Sequence, residues 1–172
     1  MTINGLSVWA IAEGGDAILS FKREFGFLSN FHRATLTVEG QEYQTVEHAD
    51  QALKTLDPCA REVIRLKANP HWAKQAARAR SFVLQEGWDA MKVRVMRNLL
   101  AQKFACHPAL AAKLLATGDC LIAEGNAWSD REWGVCRDED GVWRGHNLLG
   151  VLLMEVCDGL ASDGWRHPRV GM

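Results

Sequence analysis

Four side chains with acid, amide and amine chemistry recur at helical spacing in one short stretch. They are Glu47, Asp50, Gln51 and Lys54, within Tyr43-Gln44-Thr45-Val46-Glu47-His48-Ala49-Asp50-Gln51-Ala52-Leu53-Lys54. At about 100° per residue these four share one face of a helix, and Ala49, Ala52, Leu53 and Leu56 share the opposite one. Such a face is either solvated, the ordinary fate of an amphipathic helix, or the wall of a cleft that presents an acid, an amide and an amine together. The helix alone does not choose. Two other stretches accompany it. Phe25-Gly26-Phe27-Leu28-Ser29-Asn30-Phe31 is rich in aromatics, and Gly125 to Gly145 is polar and carries Trp128, Trp133 and Trp143 beside Asn126, Ser129, Asp130 and Gly134, just after Glu124. Aromatic faces stack planar heterocycles, and nearby carboxylates assist bond breaking at a sugar. Seven tryptophans in the chain, three of them in one polar segment, favour a functional reading of that segment over simple packing.

The elements that must position these groups follow from the pattern. Thr45 is an N-cap, and with no Gly or Pro before Pro58 the spacing predicts a helix of about three turns. Ahead of it, Ala17 to Phe21 and the alternating Ala34 to Glu39 read as strands that pair in a small sheet, with Gly40 turning the chain toward Tyr43. Asp57-Pro58 and Asn69-Pro70 are two further helix starts, for helices to about Ala68 and Ala79. A longer helix runs from Trp88 to Phe104, and a short one from Ala109 to Ala116 ends at Gly118. Leu121 to Glu124 is a candidate strand, Gly125 to Gly145 a long loop, and Asn147 caps a last helix from Leu148 to Leu160. The expected fold class is α+β: a single, mostly helical domain with a small β-sheet. Residues 1–16 read as an N-terminal leader, 17–161 as the domain and 162–172 as a C-terminal tail.

Composition narrows the class. The chain has 172 residues and a formal net charge of −1, which fits a globular protein with a real core and argues against a general polyanion binder. A local basic patch around Arg61, Arg65, Lys67, Lys74, Arg78 and Arg80 stays open. The five cysteines are odd in number and widely spaced, so they read as reduced thiols of a cytoplasmic protein, mostly packing residues. The six histidines show no ligand spacing, and no metal or cofactor is expected. No secretory signal and no membrane span are predicted. Dinucleotide, phosphate-loop, nucleophile-elbow and zinc-protease motifs are absent.

The ordered blocks resemble a known family. Phe25-Gly26-Phe27-Leu28-Ser29-Asn30-Phe31 followed by Tyr43-x-x-x-Glu47-His48-x-x-Gln51-Ala52-x-Lys54 is similar to the NADAR, or YbiA-like, pattern. Trp88 with Met91, Leu115-x-Thr117-Gly118-Asp119, Glu124, Trp133-Gly134 and Gly145-x-Asn147-x-Leu149-Gly150-x-Leu152-Leu153-Met154-Glu155-Val156 match further blocks in the same order. The resemblance covers roughly Ser20 to Leu160. Cys136 and Cys157 depart from it, standing where relatives often carry Gly and Arg.

The resemblance implies a metal-independent N-glycosidase that cleaves the bond from C1 of a ribose to an exocyclic amine. The substrates it implies are phosphoribosylamino-pyrimidine intermediates of riboflavin biosynthesis or, in other members, ADP-ribose on guanine of nucleic acid. It makes Glu47 the candidate catalytic carboxylate and Lys54 its partner, either as a Schiff-base nucleophile or as a binder of phosphate or ribose hydroxyls. Gln51 and Asn30 are candidate pocket residues, and Trp88, Trp128 and Trp133 candidate stacking residues. Asp130 is a candidate partner for ring N–H groups or ribose hydroxyls, and Arg23 with Lys22 candidate phosphate contacts. The rival from another class is a non-catalytic binding module for NAD- or ADP-ribose-like ligands.

Overall fold

The computed structural model describes residues 2–3, 6–7, 9–11 and 17–162. In chain order they form β1 (Thr2–Ile3), β2 (Leu6–Ser7), β3 (Trp9–Ile11), β4 (Ala17–Ile18), a 3-10 helix (Arg23–Leu28), β5 (Leu36–Val38) and β6 (Gln41–Tyr43). There follow α1 (Val46–Leu53), α2 (Pro58–Arg65), α3 (Pro70–Ala76), α4 (Trp88–Cys106), α5 (Pro108–Leu115), β7 (Leu121–Ile122), β8 (Gly125–Asn126), β9 (Val135–Arg137), β10 (Trp143–Gly145) and α6 (Leu148–Ala161). The architecture is α+β, mostly helical with a small mixed sheet. The described residues divide into two compact units: one joins the chain up to Ser29 with Ala109 onward, and the other holds Asn30–Pro108.

In the Asn30–Pro108 unit, β5 and β6 form an antiparallel hairpin with Val38 opposite Gln41. Its two-residue turn, Glu39-Gly40, has both φ angles positive (50° and 77°), the conformation that matches strand twist and suits glycine. α1 packs against α2, α3 and α4. Side-chain caps start three of these helices: Thr45 accepts from the His48 N–H, Asp57 from the Cys59 N–H and Asn69 from the Trp72 N–H. Leu36, Val38, Val46, Ala49, Ala52, Ile64, Met96, Leu99, Leu100 and Phe104 make the core. α4 buries Leu99 and Phe104, and also Lys103. That amine is pushed down to about 7 by burial.

In the other unit, β3, β10, β9 and β8 form one sheet in that order. Its first two pairings are antiparallel and β8–β9 is parallel. β4 pairs in parallel with β7, Ala17 beside Leu121. Ile11, Ala123 and Val135 pack together under Trp9, Leu19 and Trp143, while Leu149, Leu152, Leu153 and Val156 line the buried side of α6.

Several expectations are corrected. The strand at Ala17 pairs with β7, whereas β5 pairs with β6 in a separate two-stranded sheet. The polar segment from Gly125 to Gly145 holds three strands of two or three residues, too short to show alternation. α1 spans two turns, ending at Leu53, and Leu56 lies beyond it, exposed. Asn147 does not cap α6: it is left-handed (φ 53°). Its side chain instead donates to Ile122 O (2.9 Å) and accepts from the Glu124 N–H (3.2 Å). Only Cys136 and Cys157 are buried; Cys59, Cys106 and Cys120 are exposed. Within the stretch expected as a leader, β3 is hydrogen-bonded along β10. Residues 163–172 of the expected tail lie outside the described residues.

Candidate active site

Every residue of α1 is buried, the polar face included. That removes the solvated reading: Glu47, Asp50 and Gln51 each keep only 5% of their surface. Buried ionisable groups survive only when hydrogen-bonded or paired, and here they are both. Gln51 Nε2 donates to Glu47 Oε1 at 2.9 Å and, more loosely, to Asp50 Oδ2 at 3.4 Å. Lys54 Nζ lies 3.3 Å from the same Asp50 Oδ2 and 5.9 Å from the centroid of Trp88, itself buried at the start of α4. Glu47, Asp50, Gln51, Lys54 and Trp88 are therefore one contiguous group.

The ends of α1 are fixed by groups distant in sequence. At the start, the Glu47 N–H donates to Asn30 O (3.1 Å). His48, wholly buried, lies 2.9 Å from Thr45 Oγ1 through Nδ1 and 3.1 Å from Lys67 O through Nε2. A carbonyl only accepts, so Nε2 carries the hydrogen and Nδ1 accepts from the threonine hydroxyl: a neutral imidazole held at both nitrogens. Burial lowers its pKa, which agrees. At the far end, the Gln85 N–H donates to Lys54 O (2.8 Å) and its side-chain amide donates to Leu53 O. These bonds answer carbonyls that a helix end leaves without partners.

Electrostatics separate the two acids from ordinary carboxylates. Burial pushes Glu47 up, the neighbouring Asp50 pushes it further, and Lys74, the Gln51 amide and Lys54 pull it back. Asp50 is raised by burial and drawn back first by Lys54 and then by Lys74. Lys74, on α3, is thus a second cation at the group. The Asn30 side chain adds an acceptor: its Oδ1 is buried with no hydrogen-bond partner among the described residues, while Nδ2 contacts Met96 Sδ at 3.5 Å. A buried orphan acceptor calls for an explanation, and a ligand N–H or O–H would supply one.

The remaining expected site residues lie in the other unit. Arg23 is exposed, at the start of the 3-10 helix with φ 49°. With Lys22 it lines a cavity of about 910 Å³ that also carries Glu24, Asp119 and Cys120. Trp128 is 64% exposed and precedes Ser129, whose φ is 65°. Asp130 uses Oδ1 to accept the Glu132 and Trp133 N–H groups (3.1 and 2.9 Å), so that oxygen shapes the turn. Trp133 is half-buried, and its carbonyl accepts the Leu149 N–H at 3.0 Å. Asn126, buried, donates to Asp130 O (2.7 Å) and Val135 O (3.2 Å) and accepts from the Asp130 N–H (3.0 Å), tying the turn to β9. Cys136 donates its thiol to Asn126 Oδ1 at 3.3 Å. Cys157 donates to Leu114 O at 3.4 Å, and burial pushes its thiol up. The block around Asn147 and Gly150 has a steric basis: a side chain at 150 would collide with Ile122 O and the Asn147 amide.

Among the described residues no group of three or more His, Cys, Asp and Glu could hold a metal, and no helix is long and apolar enough to cross a membrane. Residues 20–161 match the NADAR domain. The chain belongs to the NADAR family. It is 38% identical over 151 residues to N-glycosidase YbiA of Escherichia coli, covering 86% of this chain and 91% of that protein. It is 33% identical over 135 residues to an N-glycosidase of Nostoc punctiforme, covering 77% of this chain and 83% of that one. It is also 33% identical over 135 residues to a riboflavin biosynthesis protein of Vibrio vulnificus, covering 78% of this chain and 35% of that protein. The NMR structure of E. coli YbiA superimposes with a TM-score of 0.73 at 35% identity, covering 92% of this chain and 93% of the other. The NADAR blocks thus fall on positions with identifiable work in this fold. Glu47 and Gln51 are hydrogen-bonded to each other, His48 anchors α1, and Asn147 and Gly150 seat α6 against β7.

Sequence reasoning missed three residues here. Asp50 was on the polar face without a role, although its i, i+4 spacing to Lys54 signals a pair. Lys74 was one member of a diffuse basic run, and Gln85 lies in a connection that carries no pattern at all.

Proposed function

We propose that this NADAR protein is an N-glycosidase that hydrolyses the bond between C1 of a ribose phosphate and an exocyclic amine of a pyrimidine intermediate of riboflavin biosynthesis. The observation that carries the reading is the buried Glu47 carboxyl, held above its ordinary range and hydrogen-bonded to Gln51, whose amide also meets the Asp50 that pairs with Lys54. An N-ribosyl amine leaves as a neutral amine only if its nitrogen, or the ring oxygen, is protonated as the bond breaks. A carboxyl with a raised pKa retains its proton nearer neutrality and can deliver it. Gln51 occupies Oε1, so the transferable proton sits on Oε2. Related N-glycosidases and riboflavin biosynthesis proteins support the reaction class and the substrate.

Lys54 Nζ has two roles open to it. If the sugar ring opens, C1 becomes imine-like, and a neutral Nζ adds to it; the exocyclic amine then leaves and water hydrolyses the resulting lysyl imine. In the other route water attacks C1 directly and Lys54 holds phosphate or ribose hydroxyls. Asn30 Oδ1 suits a ribose hydroxyl or ring N–H, and Trp88 fixes the lysine.

The test incubates purified protein with the phosphoribosylamino-pyrimidine and, separately, with an ADP-ribosylated guanosine oligonucleotide, following released sugar by mass spectrometry. Ribose 5-phosphate from the first alone, lost in Glu47→Gln and Lys54→Ala, is the expected result. ADP-ribose from the second would move the protein to nucleic-acid substrates. Tight ligand binding with no release would make it a binding module. Borohydride trapping at Lys54 during turnover separates the imine route from the water route.

A further inference from the structure

We infer that Lys74 binds the anionic end of the substrate, taking the phosphomonoester on C5 of the ribose and so selecting phosphorylated over unphosphorylated ribosylamines. The inference deepens the N-glycosidase reading and rests on it for the substrate. α3 packs on α1, and its Ala73 is fully buried. The next residue, Lys74, is half-buried and acts on both acids of the α1 group. It pulls on Glu47 more than Lys54 does, whereas Lys54 pulls more on Asp50. Coulomb attraction weakens with distance, so the two amines serve different ends of the group, Lys74 the Glu47 end.

Their partners differ too. Lys54 is committed to Asp50 Oδ2 at 3.3 Å and to the face of Trp88. Lys74 makes no ion pair and no hydrogen bond among the described residues. Its neighbours on α3 are occupied with one another: His71 meets the Gln75 amide at 3.0 Å and the Trp72 ring edge-on. Asn30, whose carbonyl holds the Glu47 N–H, contributes Oδ1 as an acceptor without a donor. One acid thus has a partnerless cation and a partnerless acceptor in its surroundings. A sugar phosphate supplies both missing groups, hydroxyl O–H for the acceptor and an anion for the cation. Ribose alone would supply only the first.

The wider charge distribution suits an anion as well. From Val63 to Gln85 the chain carries five Lys and Arg and no acid. Of the five, only Arg65 is paired among the described residues, with Glu62. Asn30–Pro108 as a whole holds twelve Lys and Arg against eight Asp and Glu, in a chain of net charge −1. An excess of one sign around a site raises the local concentration of oppositely charged ligand. Lys22 and Arg23 are poorer candidates, because the cavity they line also carries Glu24 and Asp119, two acids that offset them. With the phosphate on Lys74, Lys54 stays beside Asp50 and free to act at C1.

The test combines binding with turnover. Ribose 5-phosphate, ribose and ADP-ribose are titrated calorimetrically into wild type, Lys74→Met, Lys74→Arg, Arg80→Met and Arg23→Gln. In parallel, kcat/KM is measured for the phosphoribosylamino-pyrimidine and for its dephosphorylated form. Methionine keeps the apolar stem and removes the charge. A hydrogen bond to a charged group is strong enough that Lys74→Met should weaken ribose 5-phosphate about tenfold or more. The preference for phosphorylated substrate should fall by the same factor, and Lys74→Arg should retain both. The preference is a ratio, so any effect of the lost charge on Glu47, common to the two substrates, cancels. Unchanged affinity and preference in a folded Lys74→Met protein would overturn the inference. An equal loss in Arg80→Met would do so by showing a diffuse field, and a loss confined to Arg23→Gln by placing the phosphate in the other unit. Dependence on Lys74 seen with ADP-ribose but not ribose 5-phosphate would replace the monoester with a diphosphate and overturn it too. Lys74-dependent binding of ribose 5-phosphate in a protein that releases no sugar would uphold the inference and sink the N-glycosidase reading. Equal kcat/KM for both substrate forms in wild type would do the reverse.

Discussion

Two clusters in this molecule use nearly the same residue types to opposite ends. On the β9–β10 hairpin, Arg144 meets Asp138 at 2.7 Å and Asp140 at 2.8 Å, and Arg131 also pairs with Asp138. Hydrogen bonds from the arginines hold both acids below the usual carboxylate range, Asp140 down to about 2. On α1 the acids are pushed up by burial. Water explains the contrast. Exposed carboxylates facing guanidinium groups remain ionised at any working pH and do nothing but pair. Carboxyls withdrawn from water stay close to gaining or losing a proton, at a cost to the fold. A polar cluster poised for proton chemistry is recognised by that cost rather than by its number of ion pairs.

The strongest way to break the contrast is Glu47→Gln. Proton delivery contributes about 10²–10⁴-fold, so kcat should fall by that order with KM changing much less; a folded variant with full kcat would end the assignment. The same variant should be more stable. In the fold Glu47 holds its proton above the ordinary range, whereas the unfolded chain releases it there. Stability therefore falls as pH rises through that range and on to the raised folded value. Gln removes this slope, and urea titrations between about pH 4 and pH 8 should show a gain of about 1 kcal/mol at neutrality.

Trp88 sharpens the comparison from the apolar side. Trp88→Ala should destabilise by about 3–5 kcal/mol, read by thermal unfolding. Trp88→Phe should fold and raise KM several-fold by loosening Lys54. His48 gives a smaller effect of opposite pH sense. Its folded pKa is lowered, so its contribution is complete above the ordinary histidine range, about 6.5, and declines as pH falls below it. His48→Gln should flatten that limb and cost about 1 kcal/mol for a lost hydrogen bond. The smallest effect belongs to Arg144→Ala, which should leave kcat/KM unchanged and shift Tm only slightly, less at high salt.

The legible parts of the sequence were those written in local chemistry. Thr45, Asp57 and Asn69 announce helix starts because a cap acts within three residues, and Gly40 announces its turn because φ is positive there. The α1 acid, amide and amine were visible as a periodic set, and the family blocks placed Glu47 and Lys54 within it. What periodicity could not give was burial: the same spacing describes a solvated face. Strands of two residues carry no alternation, so β8, β9 and β10 hid inside a polar segment. Asn147 looked like a cap because its residue type is right; only the packing of α6 on β7 brings Ile122 O to its amide. Lys74 and Gln85 reach α1 by folding alone and leave no mark in sequence.

The fixing of α1 by distant partners also has a temporal side. An isolated helix of eight residues is far below the length of about 12–15 that holds together in water. Its first turn leans on Asn30 and Lys67, and its last on Gln85. During synthesis, then, the acid–amine set emerges on a segment that cannot hold its shape until some thirty further residues have followed. A truncated chain ending before Gln85 carries all four polar side chains without the scaffold that holds them in place.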